Sequence, residues 1–286
     1  MFTDNPETSE TKLVQRELTR RGVSVDNKAP WDLQIPDLPA LDYNAVYVPS
    51  NMLHRGSTYE LVNRLTLLRE LDSASPIVNP LEGMLYYSKG ELTLKLKELG
   101  LPHPRTLVTE NVERAYYFAK ELIDSGKEVV LKPLCGARGV GVTKLSEIRS
   151  REDLLQFLVW YNRDHAQGVF YLQEFVPNHG YDVRCLVVDG EVVGRERRLN
   201  NNDFRYNVAV GGTAEAYNDS VYDQLAIKVT RAVGLCVAGV DVLPGQDGTP
   251  YILEANCYPG YKALIDATGI PIHAKIAEFL LHCAKK

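Results

Sequence analysis

No apolar run in the 286-residue chain approaches the ~18–20 residues needed to span a bilayer, so no transmembrane helix is expected. The opening MFTDNPETSETK is acidic and polar and does not read as a signal peptide. The five cysteines, Cys135, Cys185, Cys236, Cys257 and Cys283, form no C-x-x-C pair. That pattern excludes a disulfide scaffold and a zinc site, and it points to reduced thiols and a cytoplasmic location. The histidines share no ligand spacing, and no activated Ser, Cys or His nucleophile is evident. Basic charge is also short, with Lys+Arg 32 against Asp+Glu 37 and a net charge of −5. Such a balance offers no general basic face for nucleic acid. Internal repeats and low-complexity segments are absent.

What the chain does have is 45% hydrophobic residues, enough to bury a sizeable core. Helical periodicity runs through SETKLVQRELTRRG, STYELVNRLTLLRELDSA, GELTLKLKELG, ERAYYFAKELIDSG, SREDLLQFLVWYNRD, SVYDQLAIKVTRAVG and IPIHAKIAEFLLHCA. YNAVYVPS, KEVVLKP and GVTKL read as short strands. From residue 169 the chain turns β-rich, with VFYLQEFV, AGVDVLP, PYILEANC and the hairpin YDVRCLVVDGEVVGRERRL turning at VDGE. The expectation is an α+β protein with boundaries near residues 88 and 172.

Three constellations carry chemistry. In VVLKPLCGARGVGVTKL, Lys132 ends an apolar run, and Gly136, Gly139 and Gly141 follow within a few residues. The G-x-x-G-x-G spacing is neither a dinucleotide fingerprint nor a P-loop, yet such glycine crowding brings backbone close to a ligand, often phosphate. In YILEANC, Glu254 and Asn256 are two apart on a strand and share a face; Asp241 sits on the preceding strand, where pairing would bring it alongside. Two carboxylates and an amide oxygen suit magnesium shared with phosphates. The plainer reading, strand ends facing water, poorly explains acids inside apolar strands. Finally, Arg195, Arg197 and Arg198 in RERRL, with Arg205 and Asn207 in DFRYN, are guanidinium-rich. A solvated edge strand is the plain reading for Arg195, whereas Arg205 is the best candidate for clamping a transferred phosphate.

These segments occur together in an order that resembles the ATP-grasp superfamily, specifically its RimK-like carboxylate–amine ligases. The similarity runs over roughly residues 85 to 270, through Lys89 of YYSKGELTLKLKELGLPHPRT, LKPLCGARGVGV, LQEFV, YDVRCLVVDGEVV, ERR, DFRYN, GG, AGVDVL and LEANCYPG. The resemblance implies an ATP-grasp fold of three subdomains: an N-terminal α/β unit (1–88), a central lid (89–172) and a β-rich C-terminal unit (173–286), with ATP between the last two. It implies ATP as cofactor with magnesium or manganese, two ions per site, and it admits a homodimer or homotetramer. By the same resemblance, Lys132 and Lys89 contact the nucleotide, and the loop of Gly136, Ala137, Arg138, Gly139 and Gly141 covers the triphosphate. Gln173, Glu174, Phe175 and Val176 form the adenine hinge, and Asp182 lies near the ribose. Arg205 and Asn207 flank the transferred phosphate, with Lys132 beside them as catalytic groups. Asp241, Glu254 and Asn256 hold metal, and Arg184, Arg197 and Arg198 face substrate.

The implied chemistry joins a carboxylate to an amine through an acyl phosphate, releasing ADP and phosphate. The implied partners are a small-molecule carboxylate and an amino-acid donor such as L-glutamate, with neither nucleic acid nor membrane. A ligase acting on a protein C-terminus and a non-catalytic nucleotide-binding module remain as alternatives. Departures from the relatives' pattern cluster on the substrate side: Ala137 stands where many carry Ser, and no acidic residue follows shortly after Pro259-Gly260.

Overall fold

The computed structural model describes residues 1–35, 42–50, 52–53, 56–136, 139–148, 150–164 and 168–285. The N-terminal segment contributes α1 (Ser9–Arg20), β1 (Val46–Tyr47), α2 (Thr58–Ala74), β2 (Ile77–Val78), α3 (Leu81–Leu85) and α4 (Lys89–Glu98). Capping explains where the helices start. Thr8 Oγ1 accepts from the Thr11 N–H ahead of α1, and Ser57 and Glu60 form a reciprocal capping box on α2. The buried residues of α2 are Arg64, Leu67, Leu68 and Leu71, a stripe at helical spacing.

The middle of the chain forms a four-stranded antiparallel sheet in the order β3-β6-β4-β5. Its strands are β3 (Thr106–Thr109), β4 (Glu128–Lys132), β5 (Thr143–Lys144) and β6 (Phe170–Phe175), with α5 (Val112–Asp124) and α6 (Arg151–Asp164) between them in sequence. Strand alternation divides its two faces. Val129, Leu131, Phe170 and Leu172 join Ala115, Ala119, Leu122, Leu154 and Leu158 in a core against the helices. Val130, Lys132, Tyr171 and Gln173 occupy the opposite positions along β4 and β6.

The remaining sheet has five antiparallel strands in the order β11-β10-β7-β8-β9. They are β7 (Tyr181–Val188), β8 (Glu191–Leu199), β9 (Thr213–Ala216), β10 (Val237–Pro244) and β11 (Pro250–Asn256). The VDGE turn places Asp189 at φ 51° and Gly190 at φ 77°, the left-handed pair that a two-residue hairpin needs. One face carries Val183, Cys185, Val187, Val240 and Val242 into a core shared with α7 (Asp223–Ala232) and with Met52, Leu67, Leu68 and Met84. The opposite face is split along its length. Leu186, Val188 and Val237 are covered by α1, α8 (Lys262–Thr268) and α9 (Ile272–Cys283). The other half of that face, around Asp182, Arg184 and Asp241, is charged.

Several elements differ from the sequence reading. β1 and β2 pair in parallel over two residues each, too short for any period to show. α3, α8, β3 and β9 are likewise short and lack a hydrophobic signature. GVTKL keeps only two strand residues before a 3-10 turn at Leu145–Glu147. β8 is an internal strand, because β9 pairs along it, so Arg195 is not on an edge; it pairs with Asp223 of α7.

Asn79, 1% exposed, joins the N-terminal segment to the five-stranded sheet. Its Nδ2 donates to the carbonyls of Val237 and Cys257, both at 2.8 Å, and its Oδ1 accepts from the N–H groups of Cys236 at 2.8 Å and Val237 at 2.7 Å. Removing this amide leaves buried backbone groups unpaired, each costing ~1–3 kcal/mol. Asn79→Ala should therefore lower unfolding free energy by roughly 3 kcal/mol in a urea melt. Asn79→Asp should be damaged comparably, because a carboxylate cannot donate to the two carbonyls; near-wild-type midpoints for both would refute the account.

Candidate active site

The charged half of the five-stranded sheet is laid out by register. Asp241 pairs with Glu254 on one side and Arg184 on the other, and Arg184 pairs with Glu196. Asp182 pairs with Arg198 on the same face. A register shift in β11 next to Asp241 interrupts strict alternation, so that successive residues Leu253 and Glu254 both line the cleft between the two sheets.

These charges form a buried network. Arg184 Nε donates to Asp241 Oδ1 at 2.7 Å and its Nη2 to Oδ2 at 2.8 Å. Arg198 grips Asp182 with Nε at 2.7 Å and Nη2 at 2.6 Å, and that Nη2 also reaches Asp241 Oδ2 at 2.8 Å. Burial opposes the charged form of Asp241, but the charges and hydrogen bonds of Arg184 and Arg198 outweigh it and hold the carboxyl below its ordinary value. Among the described residues Asp182 has only Arg198 as a bonded partner; burial dominates there and pushes its pKa up.

The four-stranded sheet supplies the opposite wall. Lys132 Nζ donates to Gln173 Oε1 at 2.6 Å, while Gln173 Nε2 is tied to Thr106 Oγ1 at 3.0 Å and Tyr171 Oη at 3.1 Å. The Gln173 amide is thus committed to holding Lys132. Desolvation brings the Lys132 ammonium down to about 8; nearby Lys89 adds to the drop, and Glu254 opposes it. Lys89, at the start of α4, crosses to Glu254 Oε1 at 3.2 Å and to the Gly136 carbonyl at 3.3 Å. Pro104, Val130, Val142, Phe175, Leu243 and Leu253 form an apolar slot beside these charges, bordered by Glu174 and Val176. The Glu174 side chain itself turns to Lys127 at 2.8 Å.

The glycine loop meets the DFRYN segment. Arg205 Nη1 donates to the Gly139 carbonyl at 2.9 Å, and its Nε donates to Asp203 Oδ1 at 2.9 Å. Gly139 has φ +74°, and a Cβ there would lie 2.8 Å from Asn207 Oδ1, so a side chain is excluded both by conformation and by space. Gly141 also borders Pro133 in this loop. Ala137 and Arg138 lie outside the described residues.

The donor set fits a hard divalent cation that takes most of its ligands from phosphate oxygens. Among the described residues no cluster of three His, Cys, Asp or Glu gathers, so a site here needs the Asn256 amide beside its two carboxylates. Asp241 carries three hydrogen bonds, leaving one of its four acceptor positions, on Oδ1. Among the described residues, Glu254 is engaged through Oε1 alone. Asn256 Oδ1 accepts from the Tyr258 N–H at 2.9 Å, and Asn256 lines a second cavity, adjoining the cleft, together with Glu254.

Arg197 is not brought to the cleft. It pairs with the exposed Glu215 and stacks its guanidinium 5.4 Å from the Tyr181 ring, on the face opposite Arg198. Asp182, expected near a ribose, has both oxygens on Arg198. Tyr87 and Glu196 were not singled out from the sequence, whereas Asp203 stands in the same DFRYN segment as Arg205. Asp203 orients Arg205, Tyr87 donates to the Gly136 carbonyl at 2.8 Å, and Glu196 lines the second cavity. The alternation of RERRL carried a signal for Glu196, which shares the Arg198 face.

Comparison with known proteins matches this arrangement. The RimK-like ATP-grasp domain family matches residues 91–280. The tetrahydromethanopterin:alpha-L-glutamate ligase of Methanocaldococcus jannaschii is 32% identical over 227 residues, covering 78% of this chain and 76% of that one. The coenzyme gamma-F420-2:alpha-L-glutamate ligase of Methanococcus maripaludis is 32% identical over 257 residues, covering 85% of each. Among solved structures, the ATP-grasp ligase PsnB, complexed with a phosphomimetic variant of its minimal precursor, Mg and ADP, aligns with TM-score 0.74 at 20% identity over 99% of this chain and 97% of its own. A RimK domain ATP-grasp protein from Sphaerobacter thermophilus aligns with TM-score 0.74 at 22% identity over 98% of both. The fold is that of the ATP-grasp ligases, and the chain, an enzyme, belongs to the RimK-like ATP-grasp family.

Proposed function

We propose that the protein joins L-glutamate to a carboxylate on a small cofactor-like metabolite, using ATP and magnesium and passing through an acyl phosphate. The observation that carries this reading is the meeting of Lys89, Lys132 and Glu254, from three separate elements, at one end of an apolar slot. A flat base suits the slot, and a polyphosphate suits the two ammonium groups. The names of the two methanogen ligases support glutamate as donor and a pterin- or deazaflavin-type acceptor.

In this mechanism the acceptor carboxylate attacks the γ-phosphate in line, with ADP as leaving group. Lys132, held by Gln173, and Lys89 neutralise the phosphates, and Arg205 and Asn207 lie where the glycine loop closes. Asp241, Glu254 and Asn256 would hold magnesium, which supplies charge neutralisation of the phosphate oxygens. The amine then attacks the acyl carbon, the carbon–oxygen bond to phosphate breaks, and an amide remains. Loop closure keeps water from the acyl phosphate. With coenzyme gamma-F420-2 or tetrahydromethanopterin as acceptor and L-glutamate as donor, mass spectrometry should find an adduct one glutamyl residue heavier. Acceptor labelled in its carboxylate oxygens should pass one labelled oxygen to the released phosphate; label appearing in AMP would reject the acyl-phosphate route.

Glu254→Gln should stay folded, since its side chain is 31% exposed and, among the described residues, bonded only to Lys89, yet lose roughly 100-fold or more in ATP turnover. Asp241→Asn is a poorer probe: it removes the counter-charge of two buried arginines and should also lower the melting temperature. Near-wild-type turnover of Glu254→Gln at saturating magnesium would remove Glu254 from the metal set.

Lys132 adds a pH signature. Its free-state pKa lies near 8, and a bound triphosphate favours the charged form, raising the value. Below that pKa the lysine is already protonated and nucleotide binding takes up no proton. Above it, binding must recruit one, so affinity falls as pH rises. Calorimetric titration of ADP with magnesium, in buffers of different ionisation enthalpy, should show uptake growing from near zero towards one proton across pH 8. Lys132→Met should abolish the rise; a pH-independent wild type would contradict the assignment.

A further inference from the structure

The second cavity holds about 400 Å³ and joins the nucleotide cleft where Arg198, Asn207 and Glu254 line both. Its far wall comes from the N-terminal segment, including Asp4, Glu10 and Ser50. On its floor lies Glu196, 2% exposed. Among the described residues no hydrogen bond or ion pair reaches this carboxylate, and its Oε2 is a buried acceptor without a partner. The neighbouring guanidiniums are turned to other acids: Arg184 gives Nε and Nη2 to Asp241, and Arg198 gives Nε and Nη2 to Asp182 with that Nη2 also on Asp241. A buried carboxylate left in this state is costly, and the group that would relieve it is a cation with several N–H donors.

We propose that Glu196 anchors the ammonium group of the amine donor, placing its nitrogen on the substrate side of the cleft. The proposal rests on the ligase reading above and adds to it the residue that selects for an amine. Its electrostatics agree. Burial pushes the Glu196 carboxyl above its ordinary value; Arg184 and Arg198 oppose this, and the charges of Asp241 and Asp182 add to it. The arginines act on Glu196 through space without bonding it, so an arriving ammonium meets a buried carboxylate with a free acceptor oxygen. Register sets the location: Glu196 stands two strands from Asp241, on the same face, in the row Glu254, Asp241, Arg184, Glu196. With strands spaced ~4.8 Å apart, an amine held there lies within a small molecule's length of a phosphate bound at Asp241 and Glu254.

The test titrates wild type and Glu196→Gln, each with ADP and magnesium, with L-glutamate and with glutarate, the same chain without the amine. Wild type should bind L-glutamate at least about tenfold more tightly than glutarate, the scale of a charge-assisted hydrogen bond. Glu196→Gln should bring the two affinities together through loss of glutamate binding alone. It should also melt no lower than wild type, because the carboxylate that becomes an amide had no hydrogen-bonded partner among the described residues. Equal affinities in wild type, no glutamate binding by wild type, or a preference retained in Glu196→Gln overturns the proposal. Hydroxylamine, a small nucleophile that is neutral near physiological pH, separates this failure from failure of the ligase reading. In the presence of acceptor and ATP, Glu196→Gln should still form the acyl hydroxamate while losing amide formation with glutamate. Equal loss of both products counts against the anchor. A wild type that forms no hydroxamate counts against the acyl phosphate, and the titration then decides the anchor by itself.

Discussion

The site depends on one buried ion network, Asp182–Arg198–Asp241–Arg184, strung across β8, β7 and β10. Withdrawing four charges from water is expensive, and burying such groups is not in itself a route to stability. What the network provides is position. Asp182–Arg198 and Arg184–Asp241 join neighbouring strands, and Arg198–Asp241 reaches from β8 across β7 to β10, so the side chains match only in one register. A slip of one residue would turn Asp182, Arg184 and Asp241 into the α7 core and expose Val183, Cys185 and Val240 on the cleft face. The apolar and charged faces therefore enforce each other. The same bonds leave Asp241 ionised with one acceptor position to spare, which is the state a metal ligand needs.

The facing sheet solves a different problem. A lysine aimed into an apolar slot tends to lose its proton or swing out to water. Gln173 prevents the second outcome by accepting from Lys132 while its own amide is tied to Thr106 and Tyr171. Lys89 is held by Glu254 and the Gly136 carbonyl, which couples the glycine loop to the opposite sheet without covalent constraint. Both lysines are thus pre-aimed, Lys132 by a neutral amide and Lys89 by a carboxylate and a carbonyl, which is the arrangement the proposed polyphosphate ligand would use.

Much of this was legible in the sequence, and the exceptions have physical causes. Long helices and strands announced themselves by period, and the alternation in RERRL puts Arg198 on the face opposite Arg195 and Arg197, as the register shows. Two-residue strands such as β1 and β2, and the five-residue α3, are too short for periodicity to operate; only tertiary packing creates them. Pairing order was hidden as well: β9 has no apolar pattern, so β8 read as an edge. Arg197 shows the limit of residue type as a guide, since a guanidinium in the right motif ended on the wrong face. Glu196 shows the converse. Its identity was plain, but its lack of partners is a property of packing, and no spacing rule carries that information.

The division of the cavity walls extends this logic to specificity. The cleft between the two sheets is built almost wholly within residues 91–280, the span matched by the family, with Lys89 just outside it. The substrate-side cavity adds Asp4, Asn5, Thr8, Glu10, Pro49 and Ser50, which all lie outside that span. These residues are not a loose appendage. Asn79 fastens the N-terminal segment to the five-stranded sheet through four backbone bonds, and Phe2, Val46, Val48 and Met52 share a core with β7 and β10. A rigid wall of different origin thus faces the charged floor at a fixed distance. Under the proposed function, the two sheets serve the phosphate chemistry, whereas part of the shape and charge offered to the acceptor comes from the N-terminal segment that walls the second cavity.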